Sequence, residues 1–183
     1  MKKTILCLGL LAAAASTQAI AQDTRWYIGA AVGQSNFSGN FTPYSVDNKD
    51  ISTSIAAGYN FSKFVGLELG LLDFGKAKVT GIYQGVPFSS DAKAPSAHVS
   101  LILTAPVDDA ISIYGRIGAA STDRKVVACV SGGCGTTSDR KTEVVYGIGL
   151  GYAFTKRLTG TLEYLKLNDS KISAINAGVR FGF

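Results

Sequence analysis

Residues 171–183 read KISAINAGVRFGF, and the alternation within this stretch decides the fold. One set of alternate positions carries the apolar side chains Ile175, Ala177, Val179, Phe181 and Phe183, and the other set carries Asn176, Gly178, Arg180 and Gly182. A period of two indicates a β-strand with one apolar and one polar face. In a soluble sandwich the apolar face is buried, whereas in a membrane barrel it faces lipid and the polar face lines the lumen.

The amino terminus has the layout of a secretory signal peptide. Lys2 and Lys3 precede an apolar run over residues 5–15, and Ala19-Ile20-Ala21 forms a small-x-small cleavage site. We therefore expect residues 1–21 to be removed and residues 22–183 to form one barrel domain. Without the two lysines, 16 basic residues oppose 13 acidic ones, so the net charge of +3 gives no reason to expect nucleic acid as a partner.

Strands are the elements that we expect to cross a membrane. After residue 22 no apolar run approaches the roughly 20 residues that a spanning helix needs. Alternating segments of about ten residues, separated by turn residues, are instead typical of outer-membrane barrels. Eight such segments are present, at residues 25–36, 51–61, 63–74, 95–105, 110–121, 141–154, 157–168 and 171–183.

The connections between these segments alternate between long and short. Long polar connections occupy residues 37–50, 75–94 and 122–140, and the turns near Ser62, Val107 and Thr155 are short. Bacterial barrels place short turns in the periplasm, which puts both termini there. The sequence therefore predicts an all-β fold, an eight-stranded antiparallel transmembrane up-and-down β-barrel.

Four charged residues fall on the polar, glycine-rich face of their segments: Glu68, Arg116, Glu163 and Arg180. An arginine that faced lipid near the bilayer midplane would cost about 2–4 kcal/mol, so this face is expected to line the lumen. Two acids and two bases can compensate one another there. The interior of eight strands is just wide enough for side chains to fill. A structural ion cluster and the gate of a narrow ion pore both stay open as interpretations.

Aromatic side chains gather at the short-turn ends of the apolar face. They are Trp26, Tyr59, Phe61, Tyr152 and Phe154, together with Phe181 and Phe183. Aromatic belts of this kind mark membrane–water interfaces, and a soluble sandwich has no reason to collect them at one end. We therefore expect a periplasmic aromatic girdle.

Four motifs carry a resemblance to a known family: WYIGAAVG at residues 26–33, SIAAGYNF at 54–61, YGIGLGYAF at 146–154 and AGVRFGF at 177–183. They resemble small OmpA-type outer-membrane barrels and the related opacity proteins. The resemblance implies a location in the bacterial outer membrane and an assembly signal, read by the barrel-assembly machinery, at Ile175, Ala177, Val179, Phe181 and Phe183. Larger members add a peptidoglycan-binding domain, which this sequence is expected to lack.

Cys129 and Cys134 are expected to form a disulfide, because the chain is exported. Zinc is the rival interpretation, but two thiols without a nearby histidine are too few ligands. His98 and Ser100 resemble the H-x-S pair of outer-membrane lipid A deacylases, yet no acid on their strand orients the histidine. We therefore expect no enzymatic activity and no cofactor.

Basic residues mark two of the long connections. Lys76, Lys78, Arg124 and Lys125 are candidate contacts for lipopolysaccharide phosphates, since charge-assisted bonds to phosphate are strong, but solvated loops also explain them. The predicted function is structural, with surface interactions through extracellular loops that contact outer-membrane lipid and host or cell-surface ligands. An ion-conducting pore is the alternative, and a lipid A-modifying enzyme is a more remote one.

Overall fold

The computed structural model describes residues 25–37, 45–47, 49–83, 86–130 and 133–183. The predicted signal peptide, residues 1–21, lies outside these described residues, as does part of the first long connection. The described part contains no helix that is long and apolar enough to cross a membrane.

Eleven β-strands account for most of the described residues. They are β1 (Trp26–Phe37), β2 (Ser45–Asp47), β3 (Lys49–Asn60), β4 (Val65–Asp73), β5 (Lys76–Tyr83), β6 (Val86–Lys93), β7 (Ser96–Pro106), β8 (Ile111–Val130), β9 (Gly133–Ala153), β10 (Leu158–Leu167) and β11 (Ile172–Gly182).

Eight of these strands close into a ring. The order is β1-β3-β4-β7-β8-β9-β10-β11 and back to β1, and every neighbouring pair is antiparallel. The first and last strands make the closure, from Tyr27 opposite Gly182 to Phe37 opposite Ile172. The predicted eight-stranded antiparallel barrel is confirmed, and its closure leaves no open edge within the ring.

The two faces of the ring strands follow the predicted alternation. On β4, Leu69 is 57% exposed on the outside, whereas the adjacent Glu68 is 1% exposed on the inside. The same contrast holds on β8 between Ile117 (54%) and Arg116 (7%). An apolar exterior around a polar interior is the arrangement that a bilayer requires.

The three short turns share one stabilising device, a side-chain oxygen that accepts hydrogen bonds from two backbone N–H groups ahead of it. Ser62 Oγ accepts at 3.2 Å from residues 64 and 65, Asp108 Oδ1 at 2.7 Å from residues 110 and 111, and Thr155 Oγ1 at 3.2 and 3.0 Å from residues 157 and 158. Such side-chain-capped turns are typical of Ser, Thr and Asp. They explain why these connections are short.

The long connections differ from their prediction as irregular loops. Residues 75–94 contain the paired strands β5 and β6, and residues 122–130 and 133–140 are the far ends of β8 and β9. β6 pairs with β8, from Phe88 opposite Val130 to Lys93 opposite Lys125, and β2 pairs with β5. We name β2, β5, β6 and residues 122–141 of β8 and β9 the extension sheet. Its strands carry no continuous apolar face of the kind that the ring strands expose on the barrel exterior.

At the end next to the extension sheet, the barrel interior contains a cluster of apolar side chains beside the buried polar residues Ser96, Thr122 and Glu143. We name this cluster of inward-facing, buried residues the apolar plug, with Phe37 packed against it. Its members are Leu72, Phe74, Ala94, Ala120, Val145, Leu165, Leu167, Ile172 and Ala174. The residues are at most 5% exposed, so the lumen is filled with side chains at this level.

Candidate functional site

Below the apolar plug, a charged network occupies the middle of the lumen, and Glu68 is its centre. Arg116 Nη2 lies 2.7 Å from Glu68 Oε1, and Arg180 Nη2 lies 3.3 Å from Glu68 Oε2. Tyr27 also donates a hydrogen bond of 2.8 Å to Glu68 Oε2. His98 Nε2 lies 3.6 Å from Glu68 Oε1, so one carboxylate neighbours two guanidinium groups, one hydroxyl and one imidazole.

Arg116 links this carboxylate to a second one. Its Nε donates to Glu163 Oε1 at 2.6 Å and its Nη2 donates to Glu163 Oε2 at 3.2 Å, a bidentate arrangement. Its Nη1 lies 2.7 Å from His98 Nε2, which must be the acceptor because a guanidinium only donates. The structure thus brings the four predicted lumen charges together around Arg116 and Glu68.

Two tyrosines enclose Arg180. Its guanidinium carbon lies 4.5 Å from the ring centre of Tyr114 and 5.2 Å from that of Tyr27. The rings lie against two glycines on neighbouring strands, since a Cβ at Gly58 or Gly149 would come within about 2.4 Å of a tyrosine ring carbon or hydroxyl. Sequence reasoning missed the part that both tyrosines play in the network, and the glycine opposite each tyrosine was the available signal.

The charges in this network compensate one another. Glu68 and Glu163 oppose Arg116 and Arg180, and all four are largely buried inside the barrel. Compensation of this kind is needed because an unpaired buried charge costs several kcal/mol. The arrangement binds the strands β4, β8, β10 and β11 to one another across the lumen.

His98 and Ser100 do not form a catalytic pair. His98 Nε2 is engaged by Arg116, while His98 Nδ1 and Ser100 Oγ make no hydrogen bond within the described part of the chain. A nucleophile needs contact with its base, and this contact is missing here. Within the described ranges, no group of three or more His, Cys, Asp or Glu residues is arranged to hold a metal ion.

Three lysines form a row on the outward face of the extension sheet. Lys76 of β5 lies opposite Lys93 of β6, and Lys93 lies opposite Lys125 of β8. Directly opposed residues share a face, and all three side chains are exposed. We name Lys76, Lys93 and Lys125 the lysine row. Lys78, one step further out, lies opposite Asp91 and Asp47.

Arg124 departs from its prediction as a loop cation. It lies on the inward parity of β8, where its Nη2 donates to Ser170 Oγ at 2.5 Å and lies 3.8 Å from Glu143 Oε1. Ser170 in turn donates through its backbone N–H to Glu143 at 2.7 Å. Arg124 thus ties the turn between β10 and β11 to β9 instead of facing outward. The sequence signal for this was the parity of β8, which continues beyond the membrane.

An exposed ion pair lies just below the lysine row. Arg140 Nε donates to Asp123 Oδ1 at 2.6 Å and Arg140 Nη2 donates to Asp123 Oδ2 at 3.0 Å. The hydrogen bond from Arg140, aided by its charge, lowers the pKa of the Asp123 carboxyl below its ordinary value. Lys141 lies 2.9 Å from Asp169 and likewise lowers the pKa of that carboxyl.

The disulfide at the tip of the β8–β9 hairpin is present. Cys129 and Cys134 lie directly opposite each other and are bonded through their sulfur atoms. The bond joins the two strands beside the hairpin turn, at the end of the extension sheet farthest from the barrel.

The predicted aromatic girdle residues lie at the short-turn end of the exterior. Trp26 and Tyr59 have ring centres 4.8 Å apart, Tyr59 and Phe61 5.3 Å, and Tyr152 and Phe154 5.1 Å. All three pairs are edge-to-face, the favoured geometry for aromatic contacts. The rings form two groups on either side of the barrel closure.

Comparisons with known proteins agree with this architecture. A family model described as the outer membrane protein beta-barrel domain matches residues 5–183. Outer membrane protein A of Shigella flexneri is 29% identical over 176 residues, which cover 92% of this chain and 49% of that protein. The chain therefore spans about half the length of the curated relatives it matches.

Solved structures show the same fold. The attachment invasion locus protein Ail of Yersinia pestis has a TM-score of 0.56 at 21% identity and covers 87% of this chain and 99% of its own. Ail in complex with the heparin analogue sucrose octasulfate has a TM-score of 0.52 at 20% identity, and the match covers 87% of this chain and 97% of the Ail chain.

Proposed function

We propose that this chain, which belongs to the outer membrane protein β-barrel family and is located in the bacterial outer membrane, is a non-enzymatic anchor. It binds lipopolysaccharide phosphates through its lysine row. It also presents the extension sheet to ligands at the cell surface. The observation that carries the proposal is the register of Lys76, Lys93 and Lys125 across three strands.

The position of the lysine row along the membrane normal supports lipopolysaccharide as its partner. Strands tilted by about 40° rise roughly 2.5 Å per residue along the membrane normal, so a lipid-facing band about 25 Å tall takes about ten residues. On β8 that band extends from Ile111 to about Ser121. Lys125 then lies about 10 Å beyond the hydrocarbon, at the level of phosphorylated headgroups.

The positive charge of the lysine row also supports lipopolysaccharide as its partner. Like charges directly opposite each other on a sheet repel. No described carboxylate lies within ion-pair distance of the three ammonium groups. A lipopolysaccharide phosphate between neighbouring lysines removes the repulsion and gains charge-assisted hydrogen bonds. Ail, a barrel of the same fold, has been solved in complex with the heparin analogue sucrose octasulfate, which is a polyanion.

The test compares lipopolysaccharide binding by two triple variants. Lys76→Gln, Lys93→Gln and Lys125→Gln together remove the row, whereas Lys63→Gln, Lys156→Gln and Arg157→Gln remove three positive charges from the short-turn end. We expect the first variant to bind lipopolysaccharide about tenfold more weakly, because several charge-assisted contacts are lost at an exposed site. Wild-type affinity in the first variant, or an equal loss in both, contradicts the proposal.

The apolar plug argues against the ion-conducting pore. An ion that crossed the lumen would leave the charged network and meet closely packed, buried side chains at the level of the apolar plug, with no open path past them described. The network instead fits a structural ion cluster. The lipid A-modifying enzyme lacks support too, because His98 and Ser100 are not hydrogen-bonded to each other.

The apolar face of β11 fits the proposed assembly signal. Ile175, Val179, Phe181 and Phe183 are 45–61% exposed on the exterior, and Phe183 donates its backbone N–H to Trp26 O at 3.0 Å. A strand that shows its apolar face before the ring closes is available to the barrel-assembly machinery. Truncation of Phe183, followed by measurement of the folded fraction in the outer membrane, tests this role, and an unchanged fraction excludes it.

A further inference from the structure

The lumen opens into a second compartment at the short-turn end, below the charged network. This cavity, of about 60 Å³, is lined by Tyr114, Arg180, Arg157, Ser112, Thr104 and Asn60, among others. We name it the periplasmic vestibule. Its volume accommodates a few water molecules or one small anion.

The charged side chains that line the vestibule are all basic. Two guanidinium groups line it together with several hydroxyl groups, one from the half-buried Arg180 and one from Arg157 in the exposed turn between β9 and β10, and none of the described residues that line it is acidic. The carboxylate that pairs with Arg180 among the described residues is Glu68 of the charged network, 3.3 Å away. The interior network is already balanced without Arg157. Arg157 therefore adds one positive charge at the exposed rim of the vestibule.

An unsatisfied donor lies at the same place. Tyr114 is 2% exposed, and its hydroxyl makes no hydrogen bond to any described residue. A buried hydroxyl without a partner is costly, so such groups ordinarily meet water or a ligand. The hydroxyl, the excess of positive charge and the cavity are three independent features of one compartment.

From these features we propose that the periplasmic vestibule is a binding site for a small inorganic anion such as chloride. The anion accepts hydrogen bonds from Arg157, Arg180 and the Tyr114 hydroxyl. Hydrogen bonds between cationic donors and anions are the strong ones, and the partly enclosed cavity reduces screening by solvent. Conduction plays no part in this site, since the apolar plug closes the far end of the lumen.

Chloride titration of the ¹⁵N-labelled barrel in lipid nanodiscs tests the site. Sodium gluconate is exchanged for sodium chloride at constant ionic strength, and amide shifts of Gly151 and Gly182 are followed. Both glycines line the vestibule, and Gly182 donates its N–H to the Arg157 carbonyl at 2.8 Å. We expect a saturable shift for the wild-type protein. A second titration with sodium phosphate shows whether the site accepts a larger anion.

Two variants and one control decide the outcome. Arg157→Gln should weaken chloride binding about tenfold, because one charge-assisted bond is lost. Tyr114→Phe, which keeps the ring over Gly149, should weaken it less. Lys156→Gln removes an adjacent exposed charge that does not line the cavity, and should leave binding unchanged. Shifts that never saturate, or equal midpoints for Arg157→Gln and Lys156→Gln, mean that the vestibule holds water only and overturn the proposal.

Discussion

Replacement of Arg116 by methionine removes the cation that holds the charged network together. The arginine side chain is only 5% exposed and contacts three groups: Glu68 at 2.7 Å, Glu163 at 2.6 Å and His98 at 2.7 Å. Glu68 keeps Arg180 and Tyr27 as neighbours after the substitution. Glu163 loses both of its hydrogen bonds to Arg116 and becomes the uncompensated charge.

The expected loss of stability follows from that remaining charge. Removal of one partner from a buried ion pair typically costs about 3–5 kcal/mol, because the other charge stays buried and unpaired. Methionine fills much of the same volume, so packing contributes little to the loss. We expect the free energy of unfolding in lipid vesicles to fall by about 3 kcal/mol.

A double variant separates charge from packing. Arg116→Met combined with Glu163→Gln leaves Glu68 opposite Arg180, a neutral pair, so we expect about 2 kcal/mol to be regained relative to the single variant. Urea titration, followed through the fluorescence of Trp26, measures the free energy of unfolding of the single and the double variant. Trp26 is the one tryptophan of the chain. A double variant no more stable than Arg116→Met would refute the electrostatic explanation and leave packing as the cause.

Three further predictions concern the plug, the exposed ion pair and the disulfide. The refolded barrel should show no single-channel conductance in planar bilayers, because the apolar plug blocks ions; discrete openings from correctly folded protein would contradict this. The Asp123–Arg140 pair contributes stability above the ordinary pKa of an aspartate, about 3.9, and loses it as the pH falls through the lowered pKa of Asp123. The Arg140 Nε resonance should therefore show an acid transition below about pH 4 that is absent in Asp123→Asn, and a transition that persists in that variant would exclude Asp123 as its source. Reduction of Cys129–Cys134 should loosen the hairpin tip by about 2 kcal/mol or less, since the closed loop is short. Hydrogen exchange should increase at the tip and stay constant in the ring, and a global increase would show that the bond stabilises the barrel itself.

The ring strands could be predicted from the sequence because lipid imposes a simple rule on them. On β4 the alternation of leucines with Gly66, Glu68 and Gly70 indicates both the strand and its orientation. A charge on the polar parity has only the lumen as a low-cost location. That reasoning placed Glu68, Arg116, Glu163 and Arg180 inside, although it gave no distances between them.

Two features could not be predicted by the same rule. The extension sheet has no lipid-facing side, so its strands lack the continuous apolar face that identifies the ring strands. The β8–β9 ladder continues into it from the membrane. The apolar plug places residues such as Phe74 and Leu165 on the inward parity, where the alternation suggested polar side chains. Arg124 shows the first difficulty, since its inward direction follows from a strand in a segment that was expected to be a loop.

The uninterrupted pairing of β8 with β9 has a mechanical consequence. The ladder extends from Ile111 opposite Tyr152 at the short-turn end to Val130 opposite Gly133 at the tip. A pulling force on the tip therefore acts along the strand axes. It is resisted by rows of hydrogen bonds to β7 and β10 that are loaded in shear and share the force. Tension from an attached surface is thus transmitted straight into the membrane-embedded wall, and the extension sheet behaves as a stiff tether.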